Sequence, residues 1–299
     1  MMWFFYALIS ALFLGFYDIF KKYSVNNNAV LPVLLFSTLT SALFFIPILV
    51  LSRFDIITQG HLVHIPSINT YSHLLITGKA IIVLTSWIFS FFALKHLPIT
   101  IVAPIRATGP LWTLVGAILL FNEQLSSLQW MGIIMTLLFF FLFSTTGKLE
   151  GLSFKTNKWL WFAILGTLAG TASGLFDKYL IRNIDRMAVQ SWFSIYQAII
   201  MIPVVGILWW PKRKKLTPFT FRWSIPLVGL FLVIADFAYF YALNNPDALI
   251  SIISALRRGS VLIAFGLGAF LFRENNIKHK AIYLAGILFG IALLVAGSY

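Results

Sequence analysis

Ionisable side chains set inside long apolar runs are the chemistry-bearing residues of this sequence. Arg106, Arg257 and Arg258 supply guanidinium groups, which suit carboxylate or phosphate through paired hydrogen bonds. Asp236 can bind a substrate amine, carry a coupling proton, or neutralise Arg257 or Arg258. Tyr239 stands three residues on, on the same helical face as Asp236. Lys79 either lines a cavity or snorkels to the membrane interface. Asp18 and Asp177 come late in their runs, and Asp18 can pair with Lys22 one turn on. These three are read as gating residues or, more plainly, as interfacial ion pairs. A charge in a spanning helix is costly, so each is a functional candidate. For Arg106 and Arg257 the alternative is structural, capping the carbonyls of a broken helix.

The segments that carry them are membrane spans. The chain has 299 residues, 60% of them hydrophobic and 10% charged, too little polar surface for a soluble domain. Ten apolar runs cover roughly 3–20, 30–51, 73–94, 98–121, 127–146, 159–181, 188–210, 223–243, 247–271 and 280–298. Each is near the 20 residues needed to cross about 30 Å of hydrocarbon. The first lacks a basic leader and a cleavage site, so it reads as a retained helix. Breaks fall at turn-forming residues: Asn26-Asn27-Asn28, His96-Leu97-Pro98, Asn122-Glu123-Gln124, Asn244-Asn245-Pro246-Asp247 and Asn275-Asn276. At about 1.5 Å per residue, Arg106 lies about 12 Å and Arg257 about 15 Å into their runs.

The chain repeats itself. Gly15-Phe16-Tyr17-Asp18 returns as Gly174-Leu175-Phe176-Asp177, and Phe91-Phe92-Ala93-Leu94 as Phe240-Tyr241-Ala242-Leu243. Ala103-Pro104-Ile105-Arg106 returns as Ser254-Ala255-Leu256-Arg257, and Leu120-Phe121-Asn122-Glu123 as Leu271-Phe272-Arg273-Glu274. The offsets are 159, 149, 151 and 151 residues. Asp236 matches Trp87 of the first half, so the halves diverge there. The fold class expected is all-α membrane protein: ten transmembrane helices as two inverted five-helix repeats around a central cavity. The first repeat is 1–146, the linker 147–158 and the second repeat 159–299. Five helices per half force the second half to enter the membrane from the opposite side.

Rows of small residues, Gly166-x-x-x-Gly170-x-x-x-Gly174 and Gly286-x-x-x-Gly290, serve close packing within the bundle or, as the sharper reading, a homodimer seam. Loops after odd-numbered helices hold 14 Lys and Arg, among them Lys21, Lys22, Lys95 and Lys280, against 4 on the other side. That bias puts both termini outside the cytoplasm.

Other chemistries are excluded or weak. Cysteine is absent, which removes disulfides and thiolate sites. His61-x-x-His64 has no third ligand near it in sequence, so no metal is expected. No zincin, phosphate-loop or nucleophile-elbow motif occurs, so no catalytic residue is assigned and the chain is not read as an enzyme. The net charge of +13 belongs beside anionic lipid rather than nucleic acid. Glu123 and Glu274 end their runs, where they serve the next helix or a loop contact.

Each half resembles an EamA-type repeat of the drug/metabolite transporter superfamily. The resemblance rests on Gly15-x-x-Asp18 followed by Lys21-Lys22, on Ala103-Pro104-x-Arg106, and on Leu119-Leu120-Phe121-x-Glu123-x-Leu125 with Gly132 downstream. Phe270-Leu271-Phe272-x-Glu274 repeats the last of these. It implies ten helices in two inverted repeats and secondary transport of small metabolites by alternating access, often amino-acid export. It also implies bacterial inner-membrane location with cytoplasmic termini, opposite to the charge count. The second half carries Ala255 where Pro104 stands in the first. The expected function is non-ATP transport of anionic or zwitterionic metabolites. The partners are the bilayer and a small solute; no cofactor is expected beyond a coupling proton or counter-substrate. A multidrug exporter of the same fold is the alternative, followed by a non-transporting scaffold or sensor and by an enzyme acting on lipid.

Overall fold

The computed structural model describes residues 2–109, 111–112, 126–149, 156–245, 253, 256–257, 259–272 and 277–297. Among them run ten α-helices. They are α1 (Met2–Val25), α2 (Val30–Arg53), α3 (Thr70–His96), α4 (Ile99–Ala107) and α5 (Ser127–Leu149), then α6 (Lys158–Asn183), α7 (Arg186–Leu208), α8 (Ser224–Leu243), α9 (Gly259–Phe272) and α10 (Ile277–Ala296). Six are long and apolar enough to cross a membrane, and two shorter apolar stretches lie in α5 and α9. The chain is an integral, multi-pass membrane protein.

The turns are made by the residues that can make them. Asn27 takes a left-handed φ of 51°, which asparagine tolerates better than most residues. Next to it, Asn28 accepts from the amides of Ala29 and Thr220 at 2.8 and 2.9 Å and donates to the Thr220 carbonyl at 2.8 Å. That side chain ties the α1–α2 turn to the α7–α8 loop. Leu97 is extended, as the residue before a proline must be, and separates α3 from α4. Asn69, Asn157 and Asp185 cap α3, α6 and α7 by accepting from their first-turn amides.

Helix α1 lies along α8 and α9, and α3 along α6 and α7. Helix α2 packs on α7 and α8, α4 on α9, and α5 on α10. Small residues permit the closest approaches. Gly166 and Gly170 face Ser86 and Ser90 of α3, and Ser86 Oγ donates to the Gly166 carbonyl at 2.6 Å. Gly286 and Gly290 face Phe139 and Thr136 of α5. The two glycine rows are therefore spent inside the bundle, although nothing approaches the Cβ position of Gly174. A Cβ on Gly290 would lie 2.8 Å from the Thr136 amide nitrogen, backbone that cannot yield cheaply. Gly290→Ala is expected to cost about 1–3 kcal/mol, read as a lowered melting temperature of the purified protein.

The core has two main apolar clusters and a smaller one around α4, α9 and α10. One main cluster gathers near the C-terminal end of α1 and includes Phe91, Leu94 and Leu97. The other gathers toward the opposite end of the bundle, around Ile65, Leu180 and Met187. Trp87 packs against both. Two of the lysines counted as loop charges, Lys21 and Lys280, are buried. Removing them from the count leaves the excess of basic residues on the same side.

Candidate functional site

Helix ends fix two levels in the bundle. Ser24 near the end of α1 hydrogen-bonds Ser224 at the start of α8 at 2.7 Å. His96 at the end of α3 stacks on Trp159 at the start of α6, 3.8 Å between ring centroids. Those four helix ends share one face of the bundle.

The first charged group lies about 10 Å below that face, seven residues from the end of α1. Asp18 pairs there with Arg106, seven residues into α4. Asp18 is almost fully buried, whereas the Arg106 side chain keeps 22% of its surface. Tyr17 is buried beside them, and its hydroxyl has no hydrogen-bond partner among the described residues. Lys21, one turn along α1, is also buried; its ammonium lies 4.2 Å from the Phe91 ring centroid and 5.2 Å from that of Tyr17. Ring faces are the substitute for water around a buried cation.

The second charged group is nearer the opposite face. Asp177 stands six residues, about 9 Å, before the end of α6, and pairs with Lys79 of α3. The Lys79 ammonium also lies 4.4 Å from the Phe193 ring and 5.4 Å from that of Phe240. Asp236 of α8 accepts from the Arg257 guanidinium at 3.1 Å. The same guanidinium lies over the Tyr239 ring at 3.8 Å. Arg257 Nε is buried and has no hydrogen-bond partner among the described residues. Tyr239 is also a neighbour of Asp177, and Asp236 lies in the field of Lys79 and Asp177, so the two ion pairs form one group.

The structure thus brings Lys79, Asp177, Asp236, Tyr239 and Arg257 together, and sets Asp18 and Arg106 apart from them, closer to the other face. Two expectations need correcting. Lys79 does not snorkel: with Asp177 in reach, its ammonium stays buried. Asp18 pairs with Arg106 of another helix, while Lys22 Nζ donates to the carbonyls of Leu94 and Leu97, 2.7 Å each, at the end of α3. Unsatisfied carbonyls at a helix end draw a cation there. Trp87 takes no part in the ion pairs and meets Phe193 edge-on at 6.3 Å. Arg258, Glu123 and Glu274 lie outside the described residues.

The halves use their matched charges differently. In the first, the late aspartate of α1 meets the arginine of α4. In the second, Asp177 and Arg257 each take a partner with no charged counterpart: Lys79, which corresponds to Val228, and Asp236, which corresponds to Trp87. Tyr17 and Lys21 escaped the sequence reading. Lys21 was assigned to a loop, yet its spacing of three from Asp18 places it on the same helical face.

Four cations, Lys21, Lys79, Arg106 and Arg257, face three carboxylates, Asp18, Asp177 and Asp236, among the described residues. Each ion pair joins two different helices, so exchanging its partner for a solute would alter how those helices hold together. No group of three His, Asp or Glu able to hold a metal occurs among the described residues.

The chain matches the EamA-like transporter family over residues 1–145 and 157–296. No curated protein matches it. A solved structure titled only "Crystal structure of protein" is similar in fold, with a TM-score of 0.61 at 16% identity over 96% of this chain and 95% of that one.

Proposed function

The chain belongs to the EamA-like transporter family, a family of membrane transporters of the drug/metabolite type, and from that premise we propose that it carries small anionic or zwitterionic metabolites, amino acids or related solutes, across a bacterial inner membrane without ATP. The observation that carries this reading is the Arg257 guanidinium. It is held on one edge by Asp236 and on one face by Tyr239, and keeps a buried Nε–H with no acceptor among the described residues. An unpaired buried donor is costly, and a substrate carboxylate bound through that edge would satisfy it. Lys79 beside it, and Arg106 toward the other face, extend the cationic surface, with Tyr239 and Trp87 as apolar walls.

Alternation between two inverted repeats is the mechanism we assign. Exchanging α1 with α6, α2 with α7, α3 with α8, α4 with α9 and α5 with α10 turns the α1–α8 packing into α6–α3. The same exchange leaves α2–α7, α4–α9 and α5–α10 as themselves. Pro47 and Pro203 are each the eighteenth residue of their helices, α2 and α7. Both regularities support a two-fold relation between the halves. Asp18–Arg106 and Lys79–Asp177 lie toward opposite faces, where gates belong. Asp236 is the group that would carry a coupling proton. The aromatic walls around Lys79 and Arg257 favour the multidrug exporter as second reading.

Thermal unfolding of the purified protein with pooled solutes separates the two. A ligand at a hundred times its Kd stabilises by about 2.7 kcal/mol. A pool of carboxylate-bearing or zwitterionic metabolites is expected to raise the melting temperature of the wild type and not that of Arg257→Ala. A rise given by cationic drugs alone would contradict the proposal.

A further inference from the structure

Two long connections are stitched to the opposite half of the chain, one at each face of the bundle. The α2–α3 loop, 54–69, lies at the face where α6 turns into α7. The α7–α8 loop, 209–223, lies at the other, where α1 turns into α2. Connections of more than about 12 residues are uncommon in compact folds.

The α2–α3 loop is tied down as a strap. Ser52 Oγ, at the end of α2, accepts from the Ile65 amide at 3.1 Å. The Ile65 side chain is buried in the cluster that holds Leu180, Ile184 and Met187 at the α6–α7 turn. Arg186, the first residue of α7, donates to the Leu62 carbonyl at 2.9 Å. Its guanidinium is itself held against the Tyr241 and Phe237 rings of α8, at 4.8 and 5.3 Å. The strap of the first half is thus clasped by helices of the second.

The α7–α8 loop shows the converse arrangement. Asn28, just before α2, exchanges two hydrogen bonds with the Thr220 backbone. Arg222 donates to the Tyr23 carbonyl at 2.7 Å, and Phe219 stacks on Phe36 of α2 at 5.1 Å. Here the strap of the second half is clasped by helices of the first. The exchange of halves that turns α2 into α7 turns one strap into the other. Each is clasped at the start of the second helix of the half to which it does not belong. The clasping groups differ, a guanidinium in one and a carboxamide in the other, so position is repeated where residue type is not.

We propose that the two straps are alternating latches: release of Arg186 from Leu62 opens one face, release of Asn28 from Thr220 opens the other, and the cycle undoes one at a time. The inference rests on the alternating carrier described above and lies outside its two charged groups. A face opens by parting helices of the two halves, so the strap across it must let go. The net worth of a hydrogen bond in a protein is modest, so clasps of this size can be made and broken within a transport cycle. Arg186 and Asn28 are positioning residues, acting on which face is open and not on the solute.

Maleimide labelling of Ser10→Cys in the full chain tests this, because the chain has no other cysteine. Ser10 is buried, about 12 Å along α1 from the face that the α2–α3 strap covers. Arg186→Ala is expected to raise the labelling rate about tenfold, the worth of one hydrogen bond from a charged donor. Arg186→Lys keeps a donor for the Leu62 carbonyl and is expected to return the rate toward that of Ser10→Cys alone. Asn28→Ala is expected to lower it, since freeing the other strap favours the other face. Ser52→Ala and Arg222→Ala act on the same two straps and are expected to shift the rate in the same opposite directions, should the first pair not fold. A general loosening of the bundle raises labelling in every variant. Shifts of one sign at both straps, or no shift at either, would overturn the latches, and would leave the carrier standing if the protein still performs counterflow. Opposite shifts in a protein without counterflow would uphold the latches and count against the carrier.

Discussion

Lys79→Met and Asp177→Asn, made singly, are each expected to lose about 3–5 kcal/mol of stability, while the pair Lys79→Met with Asp177→Leu regains most of it. The side chains keep only 3% and 8% of their surface. Removing one partner leaves a bare charge among Phe193, Phe240 and lipid-facing helices, and nothing else nearby neutralises it fully. Removing both leaves a cavity that apolar side chains fill. Thermal unfolding in detergent reads the difference. A double variant as unstable as the sum of the singles would mean that the two residues are not energetically coupled.

Arg257→Lys is expected to fold and to lose about 10- to 100-fold in transport, the worth of a charge-assisted hydrogen bond in an interior site. Lysine keeps the positive charge opposite Asp236 but has no planar fork. It cannot hold Asp236 with one edge, lie flat on Tyr239, and present a second edge to a solute. Arg257→Ala should lose at least as much. Initial uptake rates at matched protein content give the ratio. Full activity in Arg257→Lys would reduce the residue to a counter-charge for Asp236.

The helices were legible because membrane spans are long, apolar and broken by residues with distinct backbone needs. Asn27 and Leu97-Pro98 turn the chain where their types require it. Partner choice was not legible. Asp18 has a lysine one turn away on its own helix, yet meets Arg106, because α4 brings that guanidinium to the buried face of α1. Lys79 looked able to reach the interface because its depth was visible and Asp177 on a packed neighbour was not. Lys21 was hidden by Lys22 beside it: two adjacent lysines near a helix end read as loop charge, although a helix points them in different directions. The glycine rows gave their close approach but not its target, which is α3 for one and α5 for the other.

Transport by a binding cavity that alternates its exposure is tested most directly by counterflow. Wild-type protein is reconstituted into proteoliposomes preloaded with an excess of an unlabelled amino acid or organic acid. The same solute, labelled and dilute, is then added outside. A carrier accumulates label transiently above its outside concentration and then releases it, and Arg257→Ala does not. Label that only equilibrates, or enters empty and preloaded vesicles alike, would contradict alternating access. No uptake by folded protein from any anionic or zwitterionic pool would contradict the substrate class.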